Sequence, residues 1–237
     1  MSVEFNALIR NGTWELVPAT SHQNLIGCKW VFRIKRHPDY NIDRYKAHLA
    51  AKEFHQRPGI DFSNTFCPVV KPTTIQIVQH LALSSGWPIC QLDVNNAFFH
   101  SSLSKDVYMS QPPGFVDSNF PSHVCKLCKE LYGLKQAPRA WYKELSSFLL
   151  SHGFTNALSN ASLFIYHHSS AIIYLLIYVD DLIVIRNNSS TLSRFLHNLA
   201  QRFSLKDLSH LHYFLGVEMC LLLVDYVFPS TNTSRIF

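Results

Sequence analysis

The 237-residue chain has no apolar run long enough to span a bilayer, which excludes a membrane-spanning helix. Its first residues, Met1-Ser2-Val3-Glu4-Phe5, lack the charged and apolar pattern of a secretory leader, so the expected location is intracellular, not secreted. Cys125 and Cys128 form a C-x-x-C, but no second cysteine pair or nearby histidine pair completes a tetrahedral zinc site. The six cysteines therefore read as reduced thiols. There is no internal repeat and no low-complexity linker. Charged residues are scarce at 16%, against 47% hydrophobic residues, which excludes a disordered chain and leaves a globular one with a real core. Acidic residues are outnumbered 16 to 21 by Lys and Arg, and the formal charge of +5 is compatible with a nucleic-acid partner.

Against this background Tyr178-Val179-Asp180-Asp181 stands out, because two adjacent carboxylates interrupt an otherwise almost wholly apolar run from Ala171 to Ile185. Burying an unpaired carboxylate is costly, and a divalent cation with oxygen ligands is the simplest compensation. The flanks are rich in β-branched residues and read as two buried strands, with both Asp at the turn between them. An ordinary Asp-bearing turn is the plainer alternative.

Upstream, residues 1–25 read as a short helix and an extended lead-in around Trp14. Residues 27–36 and 44–54 read as a hairpin with a basic face, joined by a turn at His37-Pro38-Asp39-Tyr40-Asn41. Thr73 and Thr74 are candidate caps of a helix running through Ser85, with Gly86 as its stop. A strand over 88–94 carries Asp93. Pro138 opens a helix that runs to His152 and ends at Gly153, with Trp141, Leu145, Phe148 and Leu149 as its apolar, core-facing stripe. Ser190 or Thr191 caps a third helix, and a last strand is expected from Leu211 to Glu218. From Asp93 onward the order strand, helix, hairpin, helix, strand is that of a split βαβ, ferredoxin-like unit in an α+β chain. Such a sheet can set the Asp93 strand beside the hairpin, so that Asp93, Asp180 and Asp181 share one site. Three carboxylates on neighbouring strands suit a two-metal centre, with ions roughly 4 Å apart clamping the attacking and leaving oxygens of phosphoryl transfer. A basic hairpin over residues 29–52 could close on the phosphates, or be no more than a solvated charged face.

An ordered set of motifs makes this specific. It comprises Trp14-Glu15-Leu16-Val17-Pro18, Gly27-Cys28-Lys29-Trp30-Val31-Phe32, Arg44-Tyr45-Lys46-Ala47 and Phe66-Cys67-Pro68-Val69-Val70-Lys71-Pro72. It continues with Gln91-Leu92-Asp93-Val94-Asn95-Asn96-Ala97-Phe98, Val107-Tyr108-Met109-Ser110-Gln111-Pro112-Pro113-Gly114-Phe115 and Leu131-Tyr132-Gly133-Leu134-Lys135-Gln136-Ala137-Pro138-Arg139-Ala140-Trp141. The Asp-Asp hairpin and Leu211-His212-Tyr213-Phe214-Leu215-Gly216 complete it. Over residues 5–219 the chain resembles the reverse transcriptase domain of a plant-like, copia-type LTR retrotransposon Pol polyprotein.

The resemblance implies a right-hand polymerase with fingers mainly in 1–86 and part of 100–137, a palm mainly in 87–99 and 138–219, and no complete thumb. It implies RNA-directed DNA polymerase activity on a primed RNA or DNA template with deoxynucleoside triphosphates. Asp93, Asp180 and Asp181 would be catalytic and would hold two Mg²⁺ or Mn²⁺ ions. Arg44, Lys46, Ala97, Phe98, Gly133, Lys135 and Gln136 would bind the nucleotide, with Phe98 crowding its sugar. Tyr213, Phe214, Leu215 and Gly216 would grip the primer. The family further implies other Gag-Pol parts as partners and location in cytoplasmic virus-like particles and the nucleus, with no membrane. His48, Glu53, Asn160 and Arg186 depart from the family's usual Arg, Gly, Asp and Gly. Residues 220–237 no longer follow it, which reads as a truncated copy. Two other readings stay open: a degenerate remnant that keeps the fold without turnover, and a metal-dependent nuclease or phosphatase using the same three Asp.

Overall fold

The computed structural model describes residues 1–36, 40–94, 97–187, 189–210, 213–214 and 217–218. Along the chain run α1 (Ser2–Arg10), β1 (Trp14–Pro18), β2 (Leu25–Ile26), β3 (Cys28–Arg36), β4 (Ile42–Ala51), α2 (Pro72–Ser84) and β5 (Ile89–Val94). There follow β6 (Ser102–Met109), β7 (His123–Lys129), α3 (Ala137–Ser151), β8 (Phe154–Ala157), β9 (Asn160–His168), β10 (Ala171–Tyr178) and β11 (Asp181–Arg186). The chain continues through α4 (Ser189–Arg202), β12 (Leu205–His210), β13 (Tyr213–Phe214) and β14 (Val217–Glu218). This is a mixed α+β fold.

The main sheet has the order β12-β5-β11-β10-β9-β8, antiparallel throughout. Within it, β5, α3, β10, β11, α4 and β12 form the expected split βαβ unit. The apolar runs of β10 and β11 are buried on both faces, which explains why they do not alternate with polar residues. On one face Leu92, Ile173, Leu175, Leu182 and Val184 join Trp141, Leu145 and Leu149 of α3 and Leu199 of α4. On the other, Leu176, Ile183 and Ile185 pack with Ile75, Val78 and Ala82 of α2.

A second sheet, ordered β1-β7-β6-β2, and the separate β3–β4 hairpin complete the part that faces the carboxylates. In that hairpin Lys29, Val31, Arg33 and Lys35 lie opposite Ala50, His48, Lys46 and Arg44, so the basic positions share one face.

Several expectations need correction. Helix α2 starts at Pro72 after Lys71, with no side-chain cap, so Thr73 and Thr74 stand inside its first turn rather than capping it. Proline takes the first position because its missing N–H costs nothing there. The edge of the main sheet is β12, earlier than the strand expected over 211–218, where the described residues form only the short β13–β14 pair. Helix α4 begins at Ser189, ahead of both proposed caps. Glu53 is not among the residues with positive φ, so it carries no left-handed strain. Positions 37–39 of the expected turn, Asn95, Asn96, Leu211, His212, Leu215, Gly216 and the 220–237 tail lie outside the described residues.

Candidate active site

Antiparallel pairing sets Asp181, the first residue of β11, directly opposite Asp93 of β5. Directly opposed residues put their Cβ atoms about 5 Å apart on one face. Asp180 occupies the turn itself, and its carbonyl accepts a hydrogen bond from Val94 N–H at 3.2 Å, docking the turn against β5. The sequence expectation placed both Asp in the turn; the structure leaves one there and gives the other to the strand.

The turn is held in an unusual shape. Val179 has φ 54°, and a β-branched residue in that region is strained by an amount of order 1–3 kcal/mol. The fully buried indole of Trp141 donates to the Val179 carbonyl at 2.7 Å, fixing the turn from α3. A Trp read from sequence as a core stripe thus also positions the carboxylates. Gln91, two residues before Asp93 on the same face, donates its side-chain amide to Asp181 Oδ1 at 3.1 Å. The Asp181 carboxyl is pushed above its ordinary range, first by burial, then by Asp180 and Asp93, with Gln91 and Lys35 acting in the opposite direction. Sequence reading had not singled out Gln91, because a strand Gln gives no signal until its neighbour across the sheet is known.

These three carboxylates line a cleft of about 660 Å³ whose other wall is the basic hairpin: Arg33, Lys35, Lys46 and His48 line it, with Tyr132 and Gly133 at its side. His48 Nδ1 lies 3.3 Å from Glu4 Oε1, and its ring stands 5.1 Å from that of Tyr132. Burial, then Asp180 and Asp93, hold the Tyr132 hydroxyl well above the usual phenol range, so it stays neutral.

The loop beneath the hairpin explains the glycine. Gly133 has φ 83°, and a Cβ there would lie 2.3 Å from the Ala51 carbonyl oxygen, while Ala51 N–H donates to the Tyr132 carbonyl at 2.7 Å. Buried Gln56 adds a second clamp: its Oε1 accepts from Lys135 N–H at 2.9 Å and its amide donates to Gln136 Oε1 at 3.0 Å.

Other expected site residues fall elsewhere. Ala97 and Phe98 are buried, and Phe98 sets its ring edge against Tyr132 at 4.6 Å rather than lining the cleft. Arg44 pairs with Asp43 at 3.7 Å, and Lys135 sits over the Phe62 ring at 5.2 Å; neither lines the cleft. Gln136 engages Gln56 and borders a different cleft. Tyr213 and Phe214 form β13. Among the departures, buried Asn160 links α2 to β9, donating to Thr74 Oγ1 at 3.0 Å and accepting from Ser162 N–H at 3.0 Å.

Among the described residues no group of three His, Cys, Asp or Glu is arranged to hold an ion as it stands. The donor set nonetheless fits hard cations. It offers carboxylate oxygens, two of them on directly opposed residues, where like charges repel unless something positive lies between. No helix of the described residues is long and apolar enough to cross a membrane, and the five described cysteines are free thiols.

Residues 11–224 match the family model for reverse transcriptase (RNA-dependent DNA polymerase). The chain is 54% identical over 219 residues to the retrovirus-related Pol polyprotein from transposon RE1 of Arabidopsis thaliana, covering 92% of this chain and 15% of that protein. It is 39% identical over 220 residues to the corresponding polyprotein from transposon TNT 1-94 of Nicotiana tabacum, covering 92% of this chain and 17% of the relative. The chain thus spans about a sixth of the length of these curated relatives, which are the kind of protein that its motifs resemble. With the match running from the third residue before β1 to beyond β14, the chain belongs to the reverse transcriptase (RNA-dependent DNA polymerase) family.

Proposed function

We propose that the chain is the fingers and palm of an RNA-directed DNA polymerase, adding deoxynucleotides to a primer 3′-hydroxyl. The observation that carries this reading is the placing of Asp93 opposite Asp181 across a cleft from the cation row of Arg33, Lys35 and Lys46. Cations on one wall and carboxylates that would hold metal ions on the other suit a triphosphate, whose negative charge needs neutralising from both sides.

In this reading residues 87–99 and 138–219 make the palm, and residues 1–86 with part of 100–137 make the fingers. Asp93, Asp180 and Asp181 hold two Mg²⁺ or Mn²⁺ ions, which when bound supply activation of the 3′-hydroxyl and neutralise charge on the transferring phosphate. Gln91 holds Asp181 in place. Arg33, Lys35 and Lys46 bind the phosphates, a role that falls to Arg44 only near the outer end of the hairpin. Phe98 backs the cleft wall through Tyr132 and so helps to shape the sugar site. Gly133, Lys135 and Gln136 support the nucleotide through the loop that carries the hairpin, and 213–216 contact the primer. The partners are a primed RNA or DNA template, deoxynucleoside triphosphates and other parts of a Gag-Pol polyprotein, inside the cell.

The test is primer extension on an RNA template by the purified chain with Mg²⁺ or Mn²⁺, beside Asp180→Asn/Asp181→Asn. Extension that vanishes in the double variant supports the reading. No extension from folded chain counts for the inert remnant. Metal-dependent hydrolysis of the nucleic acid in place of extension would point to a nuclease.

A further inference from the structure

A second cleft, of about 540 Å³, opens away from the carboxylates between the start of β6, the first turns of α3 and residues 61–64. Glu130, 2% exposed, and Ser101, 5% exposed, are among its lining residues, and among the described residues Glu130 Oε2 and Ser101 Oγ have no hydrogen-bond partner. A buried polar atom left without a partner costs roughly 1–3 kcal/mol, so both groups would gain from a hydrogen-bonding ligand in the cleft.

The charges around them say of what kind. Asp61 is already engaged, accepting at 2.6 Å from both the Asn24 amide and Arg57 N–H, and Glu144 pairs with Arg202. The cations lining the cleft are Lys105, which donates to the Gly59 carbonyl, Arg139, which donates one hydrogen bond to the Phe66 carbonyl, and Lys143, which is exposed. Positive charge is therefore in excess at the rim. We propose that this cleft binds a tetrahedral oxyanion of the phosphate class, with the Glu130 carboxyl and Ser101 hydroxyl donating to it and Lys105, Arg139 and Lys143 balancing its charge. Burial raises the Glu130 carboxyl to about 8, so at neutral pH it is an acid with a proton to donate rather than a repelling carboxylate. The oxyanion has two sources, a free phosphate or a phosphate of a nucleic-acid backbone. The inference does not depend on polymerase activity.

Sulfate, whose charge is constant across this range, is the probe, titrated calorimetrically into the full chain. Wild type should bind it saturably at pH 7 and about tenfold more weakly at pH 9, as the binding-competent acid form is depleted. Glu130→Gln, whose amide donates without titrating, should bind at both pH values, and Ser101→Ala should weaken binding severalfold while circular dichroism stays unchanged. An oligodeoxynucleotide that displaces sulfate from wild type and loses this effect in Ser101→Ala identifies the backbone as the source; sulfate that it cannot displace identifies a free anion. Absence of saturable binding at pH 7, or binding that neither pH nor these substitutions alter, overturns the proposal.

Discussion

Two hairpins face each other across the cleft, and they are built on opposite terms. The carboxylate hairpin, β10–β11, has strand neighbours on both sides and helices on both faces. Its turn is tied down by Trp141 and by Val94. Among the described residues the basic hairpin, β3–β4, pairs only with itself, and Phe32, Ile34, Arg44 and Tyr45 are exposed. Its fixed points lie at its base, where Ala51 meets the 132–133 loop and the Trp30 indole donates to the Pro113 carbonyl at 2.9 Å. In the proposed reading, groups that would meet the reacting atoms sit on the more restrained element, and groups that would collect a charged ligand sit on the one with fewer restraints.

Breaking this contrast should have graded effects on stability. The largest is expected at Gly133→Ala, where a Cβ would collide with the Ala51 carbonyl and φ is positive; the loss should reach at least about 2–3 kcal/mol in urea unfolding. Trp141→Phe keeps an aromatic ring but removes the donor to Val179, leaving a strained turn with one of its two ties, and should cost about 1–3 kcal/mol by the same measurement. Because that turn presents Asp180, the variant should also weaken divalent-ion binding.

Glu130→Gln sharpens the comparison by altering neither hairpin. The folded state holds the Glu130 proton up to about pH 8, the unfolded chain only to about 4.5. Between those values the native state binds the extra proton, so wild-type stability falls as pH rises, and the glutamine variant should not share that fall. Melting temperatures should agree near pH 4.5 and separate by several degrees by pH 8–9, with the variant higher. The smallest stability effect belongs to Arg33→Ala/Lys35→Ala/Lys46→Ala, within about 0.5 kcal/mol per position, since Arg33 and Lys35 are exposed and Lys46 is half-buried. The same triple variant should bind primer–template more weakly and with a shallower salt dependence, read by fluorescence anisotropy across a salt series.

Much of the carboxylate hairpin was legible in the sequence, because two Asp in an apolar run admit few structures. The amphipathic α3, with Trp141, Leu145 and Leu149 inward, was equally clear. The β1-β7-β6-β2 sheet was not, since Ser102–Met109 and His123–Lys129 mix polar and apolar residues without a long run. Edge strand β12, Leu-Lys-Asp-Leu-Ser-His, is too polar to announce itself. In the site, the cation ladder was visible as a basic hairpin, but only the register tells that Arg33 and Lys35 line the cleft. Gln56 gave no local signal at all: its partners lie 79 and 80 residues away.

The central claim, that Asp93 and Asp181 form an ion-binding pair beneath the basic hairpin, is tested most directly by Mn²⁺ titration with a deoxynucleoside triphosphate present, following the free-ion signal by electron paramagnetic resonance. The account predicts saturable Mn²⁺ uptake by wild type beyond that of the nucleotide alone, lost in Asp93→Asn/Asp181→Asn with the fold intact. Equal uptake by wild type and the double variant would contradict it.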